Sequence, residues 1–265
     1  MERAHTSVLG ARLARAVRPA VENCLYFRML DSTQSCALRL IEQAEEEEVA
    51  LPATLIVAGH QESGRGRADR RWQSPPGGLY LSWVVSELDR TVVAKLPMIA
   101  AAAAAEAVIG IGIDEVAIKW PNDLLVDGRK LAGLLVHSRH GATNWAAVGF
   151  GINLTRTPSI PAGSLAEAIS VADLLSPHDA GGWAEGLAGV FVAELEAGIA
   201  EPAGKVDLWR KRLVHRKGDP MTVRRGDASE LQGRFSGLTA DGHLRLDCNG
   251  SERVISAGDV VEWAD

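Results

Sequence analysis

The stretch Leu96–Ile113 holds a single charge, Glu106, among apolar residues that include the unbroken run Ala100–Ala105. A helix that is apolar on all sides has to be covered on all sides, by lipid or by the rest of its own chain. Glu106 and the Gly110-Ile111-Gly112 segment leave the run short of a comfortable membrane span, so it reads as a helix buried at the centre of a core. A core that can enclose such a helix needs a large chain. With 265 residues, 46% hydrophobic and 23% charged, this one is large enough, and that balance excludes a disordered or collagen-like polymer.

Lys and Arg number 28 against 34 Asp and Glu, a net charge of 28 − 34 = −6. Nothing global therefore advertises DNA or an anionic membrane as a partner, and any anion site must be a local cluster. Cys24, Cys36 and Cys248 are scattered, without a CxxC pair, and fit neither a disulfide framework nor a zinc knuckle. The N-terminus carries arginines but no apolar signal core, so a cytoplasmic protein without a secretory leader is expected, with a transit peptide left open.

Along the chain, an Arg-bearing amphipathic stretch near Arg12 to Val21 precedes a β-type run from Leu25 to Leu30. Asp31-Ser32-Thr33-Gln34 then reads as a helix N-cap, and the helix it starts ends in the solvated acidic run Glu45 to Glu48. Strands are expected at Thr54 to Ala58 and Leu79 to Val85, and an alanine-rich helix from Ala94 to Val108. Further strands are expected at Glu115 to Lys119, Leu124 to Val126, Lys130 to Ser138 and Trp145 to Leu154. Trp183, Leu187, Val190, Phe191, Leu195 and Ile199 form a helical core stripe. The pattern predicts an α+β fold, a mixed, mostly antiparallel sheet with helices over one side. From about Val214 short strands alternate with turns such as Asn249-Gly250 and Asp241-Gly242, which suggests a small five-stranded β-barrel. The domains are accordingly set at 1–213 and 214–265.

Two constellations carry chemistry. In Gly64-Arg65-Gly66-Arg67, with Asp69, Arg70, Arg71 and Trp72 behind it, glycines allow close backbone approach while guanidinium forks offer donors to phosphate or carboxylate. Taken alone it is either an anion cradle or a solvated basic turn, and it is neither a P-loop nor a dinucleotide fingerprint. The second runs Lys119-Trp120-Pro121-Asn122-Asp123 to Lys130-Leu131-Ala132-Gly133. A two-residue Asp127-Gly128 turn pairs Val126 with Arg129, Leu125 with Lys130 and Asn122 with Gly133. Strict alternation then groups Lys119, Asp123 and Lys130 on one face and Trp120, Leu124, Val126, Leu131 and Leu135 on the other. Pro121 argues against an unbroken strand there. The seven histidines are dispersed and read as structural or solvent-facing.

The succession Ser32-Thr33-Gln34, Gly64-Arg65-Gly66-Arg67, Lys119-Trp120-Pro121-Asn122-Asp123 with Lys130-Leu131-Ala132-Gly133, and Gly149-Phe150-Gly151-Ile152-Asn153 resembles the biotin protein ligase family over nearly the whole chain. The resemblance implies a class II synthetase-like biotin/lipoate ligase fold followed by a small SH3-like β-barrel. It further implies an enzyme that makes biotinyl-5′-AMP from biotin and ATP and passes biotin to a lysine of the biotin carboxyl carrier domain of a carboxylase. By the same resemblance biotin lies against Ser32, Thr33, Gln34, Gln61, Arg65, Gly66, Arg67 and Lys130. Arg65, Arg67 and Lys130 are then the catalytic cations, and Arg65, Arg67, Trp72, Lys119, Asn122, Asp123 and Asn153 meet the nucleotide, with Asp123 a candidate ligand to magnesium. Gln34 departs from the Asn common in the family. The stretch before Asp31 is too short for the DNA-binding domain of bifunctional relatives, so no DNA partner or repressor activity is expected, and a homodimer stays open. The competing readings are a lipoate or octanoate ligase on the same fold and an inactive ligase-like binding protein.

Overall fold

A computed structural model describes residues 8–68, 70–141, 143–158, 167–176 and 182–263, so Asp69 of the arginine loop lies outside the described residues. The strands β1 (Asn23–Phe27), β2 (Thr54–Ala58), β3 (Gly78–Val85), β4 (Ala117–Lys119), β5 (Asp123–Val126), β6 (Arg129–Arg139) and β7 (Trp145–Asn153) form one sheet, ordered β1-β2-β3-β7-β6-β5-β4. β1 and β2 run parallel and the other neighbours antiparallel, as the pattern predicted. β1 begins and ends earlier than Leu25 to Leu30 suggested. Leu30 has left the sheet and keeps an isolated bridge to Gln61.

The helices are α1 (Val8–Ala16), α2 (Thr33–Glu46), α3 (Arg90–Val93), α4 (Leu96–Gly110), α5 (Trp183–Ala200) and α6 (Pro202–Lys211). The alanine-rich helix starts at Leu96 with Pro97 in its first turn, where a missing N–H costs nothing, and the turn α3 precedes it. Ala100 to Ala105 are wholly excluded from solvent. Small side chains let α5 come so near that a methyl on Gly198 would collide with Ile99. Ile99 is itself fully buried, and truncating such a residue to alanine costs about 2–5 kcal/mol.

Helices were expected on one side of the sheet, but α2 packs on the other. Its Ala37, Ile41 and Ala44 meet Ile56, Val84 and Ala147, whereas Leu55, Val57, Leu81 and Val148 face the α4 core. Alternation makes this possible, because β2 and the middle of β3 are buried on both faces and need two covers.

The hairpin corrects a second expectation. Lys119 and Asp123 do not share a strand. The chain turns at Trp120–Asn122, so β4 pairs with β5 and Lys119 stands opposite Asp123. Beyond Asp127-Gly128, Val126 pairs with Arg129 and Leu125 with Lys130 as predicted, but a bulge then shifts the register, setting Leu124 against Ala132 and Asp123, not Asn122, against Gly133. One extra residue inverts the alternation. Leu131 stays in the core, while Leu135 moves to the opposite face with Lys130 and Gly133.

The C-terminal strands β8 (Pro220–Arg224), β9 (Glu230–Leu238), β10 (Leu244–Cys248), β11 (Ser251–Ile255) and β12 (Asp259–Trp263) form an antiparallel sheet ordered β11-β10-β9-β8-β12. The five strands are present, but β11 and β12 are not hydrogen-bonded to each other, so no closed barrel forms among the described residues. This sheet is seated on the larger unit. Trp120 Nε1 donates to the Gly242 carbonyl at 3.0 Å, the Trp120 amide donates to His215 Nε2 at 3.2 Å, and Gly242 abuts Met98.

Candidate active site

Ser32 ends an extended segment, and its Oγ accepts from the Ser35 amide at 3.4 Å, so the N-cap reading holds. The cap aims the first helical side chains, Thr33 and Gln34, into the sheet face that α2 leaves uncovered. Both are buried. The Thr33 amide donates to Gln61 Oε1 at 2.8 Å, and Gln61 Nε2 donates to Ser74 Oγ at 2.7 Å. Gln34 Nε2 donates to the Ala147 carbonyl and contacts His137 Nδ1, both at 2.9 Å, while Ser82 Oγ lies 2.9 Å from both Gln34 Oε1 and Thr33 Oγ1. Side-chain and backbone groups of the protein therefore pair with one another across the polar floor.

The loop after Gln61 folds over that floor. The Trp72 amide donates to the Gly64 carbonyl, the Gly66 amide donates to the Arg70 carbonyl, and Arg65 and Arg71 form an antiparallel bridge. Glycine is needed at 64 because a Cβ there would lie 2.5 Å from the Trp72 carbonyl oxygen. The Trp72 side chain turns inward over Gly133 and Gly151, where methyls would stand 3.1 and 2.8 Å from its ring. Its Nε1 is buried with no acceptor among the described residues, a donor available inside the site.

One cavity thus collects Ser32, Thr33, Gln34, Gln61, Arg65, Gly66, Arg67, Trp72, Asn122, Asp123 and Lys130 from the sequence candidates. Lys119 and Asn153 do not line it. Lys119 is buried, with Nζ 4.7 Å from the Trp263 ring, and Asn153 Nδ2 donates to the Ile169 carbonyl at 3.0 Å.

Among the described residues, Arg65, Arg67, Arg70, Arg71 and Lys130 face a single lining carboxylate, Asp123. Lys130 Nζ lies 2.7 Å from Asp123. Burial by itself would raise the Asp123 pKa, but the charges of Lys130 and Lys119 outweigh it and hold the carboxyl below its usual range. Burial lowers Lys119 and the Lys130 charge adds to that, against the pull of Asp123. Burial likewise lowers Arg67, for which no carboxylate lies within ion-pair distance among the described residues. Arg70 instead reaches Asp259 of β12 at 2.5 Å. The site holds surplus positive charge and several unspent donors, an arrangement for two anions held close together.

Among the described residues no cluster of three His, Cys, Asp or Glu side chains could cage a metal. Asp123, engaged by Lys130, does not fit a resident ion.

Sequence reasoning missed Ser82 and His137, and it quoted Arg70, Gly149 and Gly151 without giving them a place in the site. A serine inside the apolar run Leu79–Val85 and the period-two spacing of Gly149 and Gly151 were signals available for two of these. His137, read as structural or solvent-facing, contacts a cavity residue.

Residues 26–153 match the Biotin/lipoate A/B protein ligase family, and residues 218–262 the Biotin protein ligase C terminal domain. The chain is 31% identical over 223 residues to the biotin--[acetyl-CoA-carboxylase] ligase of Mycobacterium tuberculosis, covering 80% of this chain and 79% of that one. It is 32% identical over 147 residues to the bifunctional ligase/repressor BirA of Bacillus subtilis, covering 52% of this chain but only 42% of that longer protein. The biotin protein ligase from Aquifex aeolicus in complex with biotin and ATP has the same fold, with a TM-score of 0.66, 24% identity and coverage of 90% of this chain and 97% of that one.

Proposed function

We propose that this chain, which belongs to the biotin/lipoate A/B protein ligase family, activates biotin with ATP to biotinyl-5′-AMP and transfers the biotinyl group to a lysine of a carboxylase's biotin carboxyl carrier domain. In the first step a carboxylate oxygen attacks the α-phosphorus and pyrophosphate leaves. In the second the lysine amine attacks the acyl carbon and AMP leaves. The observation that carries the reading is the joining of two unlike halves in one cavity: a buried hydroxyl and amide floor, and a roof of arginines with Lys130.

The floor of Ser32, Thr33, Gln34 and Gln61 suits the ureido ring, which has two N–H donors and a carbonyl acceptor. Arg65, Arg67 and Lys130 offset the repulsion between carboxylate and phosphate and the charge that develops at phosphorus. Trp72 and Asn122 bound the nucleotide side. Lys119 supports Asp123 from behind, and Asn153 acts through the backbone around Lys130. Magnesium would come as part of the ATP substrate and would screen its phosphates, and Asp123 would be the lining carboxylate able to hold it once released by Lys130. Residues 1–213 form the catalytic unit and 214–265 the accessory one. No helix among the described residues is long and apolar enough to cross a membrane, and we place the reaction in the cytoplasm, where ATP and apo-carboxylase meet.

Biotin-dependent ATP–pyrophosphate exchange tests the reading. Lipoate and octanoate, which leave the floor unpaired, should be rejected by roughly 10⁴-fold or more. Comparable exchange with lipoate, or acylation of a lipoyl domain in preference to a biotin carrier domain, would overturn it.

A further inference from the structure

The protons of the cavity floor can be counted. The Ala147 carbonyl only accepts, so the Gln34 atom facing it at 2.9 Å is the amide nitrogen, and Oε1 points toward Ser82. The Thr33 amide only donates, so the Gln61 atom facing it is the oxygen. Between these fixed oxygens run three hydroxyl contacts: Ser82 Oγ to Gln34 Oε1 at 2.9 Å, Ser82 Oγ to Thr33 Oγ1 at 2.9 Å, and Thr33 Oγ1 to Gln61 Oε1 at 3.2 Å. Two hydroxyl protons serve three contacts. The cluster is one proton short, and it presents lone pairs to a ligand while having no hydroxyl proton left to give.

The same count fixes the histidine. One Gln34 amide proton goes to Ala147, so the other goes to His137 Nδ1, which must be unprotonated at that nitrogen. A protonated ring would set N–H against N–H, and the amide could not turn to relieve it without setting its oxygen against the Ala147 carbonyl.

We infer that His137 is a positioning residue for recognition of the acid: by accepting from Gln34 it locks the Gln34 oxygen toward Ser82 and Thr33 and so keeps the floor short of a proton, a deficit that a ring N–H donor fills. The inference rests on the proposed biotin ligase reading and adds to it the device that separates a ureido ring from a ring without N–H groups. The charged group that acts on His137 is Arg65 of the covering loop. α2 offers the neutral Gln34 and β7 the Ala147 carbonyl. Burial first, then Arg65, lowers the His137 pKa, which keeps the ring in the accepting form at neutral pH.

The test uses the whole chain with His137→Asn, whose side-chain oxygen can take the place of Nδ1 as acceptor, and His137→Leu, which offers none. Biotin binding is measured by calorimetry, with KM for biotin and for ATP from pyrophosphate exchange and a melting curve for each variant. His137→Leu should raise biotin Kd and KM about ten-fold with KM for ATP unchanged, and His137→Asn should restore binding to within about three-fold of wild type. Wild-type Kd should rise relative to that of His137→Asn as pH is lowered below the ordinary imidazole range, because only the wild type loses its acceptor. Ionisation of biotin's own carboxyl is common to both proteins and cancels. Equal biotin Kd in the folded Leu variant, or a wild-type-to-Asn ratio flat with pH, overturns the inference. Should His137→Leu not fold, that ratio still decides it. A wild-type protein that binds no biotin would instead sink the ligase reading on which it rests.

Discussion

Replacing Lys130 tests whether the cation acts on the reactants or merely neutralises its neighbour. Lys130 Nζ lies 2.7 Å from Asp123 and 5.2 Å from the Trp72 ring centroid, with its side chain 30% exposed. If it bonds the charge developing between carboxylate and phosphate, its loss removes about 1.5–3 kcal/mol, or roughly ten- to a hundred-fold in rate. Lys130→Met also strands a carboxylate facing incoming anions. At about 5 Å and an effective dielectric near 20 that repulsion is about 3 kcal/mol, as large as the effect sought. The single variant therefore cannot separate the two, and Lys130→Met/Asp123→Asn can, because it removes the stranded charge as well. Biotin-dependent pyrophosphate exchange in the double variant, with near-UV circular dichroism to confirm the fold, should stay at least ten-fold below wild type. Recovery to the wild-type rate would mean that Lys130 only neutralises Asp123, and a wild-type rate in the single variant would remove it from the chemistry altogether.

Gly151→Ala would place a methyl 2.8 Å from Trp72 Nε1, so the indole should be displaced: tryptophan emission should shift and exchange should drop about ten-fold or more, and unchanged emission with unchanged rates would contradict the packing. Proteolytic cutting near Arg65 should fall sharply when biotin and ATP are added together, because the clustered arginines gain anions to hold; equal cutting in both states would count against an anion site. His215 is buried, accepts from the Trp120 amide and has a pKa near 4, owing first to burial and then to Lys119. The unfolded chain then takes up the proton first, so stability is full above about pH 6.5 and falls by about 3 kcal/mol as pH drops toward 4; urea midpoints of His215→Asn should lose that part of the pH dependence, and parallel curves for the two proteins would refute the assignment.

Local signals explain what could be read in advance. Ser32 before an apolar helical repeat is a cap whatever lies around it, and Asp127-Gly128 dictates the first two pairs of its hairpin. The next pair is different, because the bulge beside Leu124 answers to how β6 must lie against β7, a fit spread over both strands, and no residue type announces it. Its consequence is large, since it turns Leu135 from core to cavity. The α2 side of the sheet was obscured for a similar reason, because a strand with no solvated, polar alternate positions, like Thr54–Ala58, does not say which element covers which face. Ser82 and His137 belong to the site through partners some fifty and one hundred residues away, a pairing that one sequence cannot display.

The C-terminal sheet was legible as a separate texture but not as part of the site's electrostatics. Asp259 holds Arg70, Trp263 lies against Lys119, and His215 takes the Trp120 amide, so the accessory unit touches the arginine loop and the point where β4 enters its turn. Four arginines and two lysines around Asp123 repel one another, and a chain of net charge −6 gains nothing in folding from gathering its cations there. Asp259 supplies from outside the cavity a carboxylate that the reacting surface has to do without, because a second acid among the lining residues would repel both substrates. Attraction for anions and a stable loop make opposite demands on the same arginines, and setting the balancing charge on a neighbouring sheet meets both.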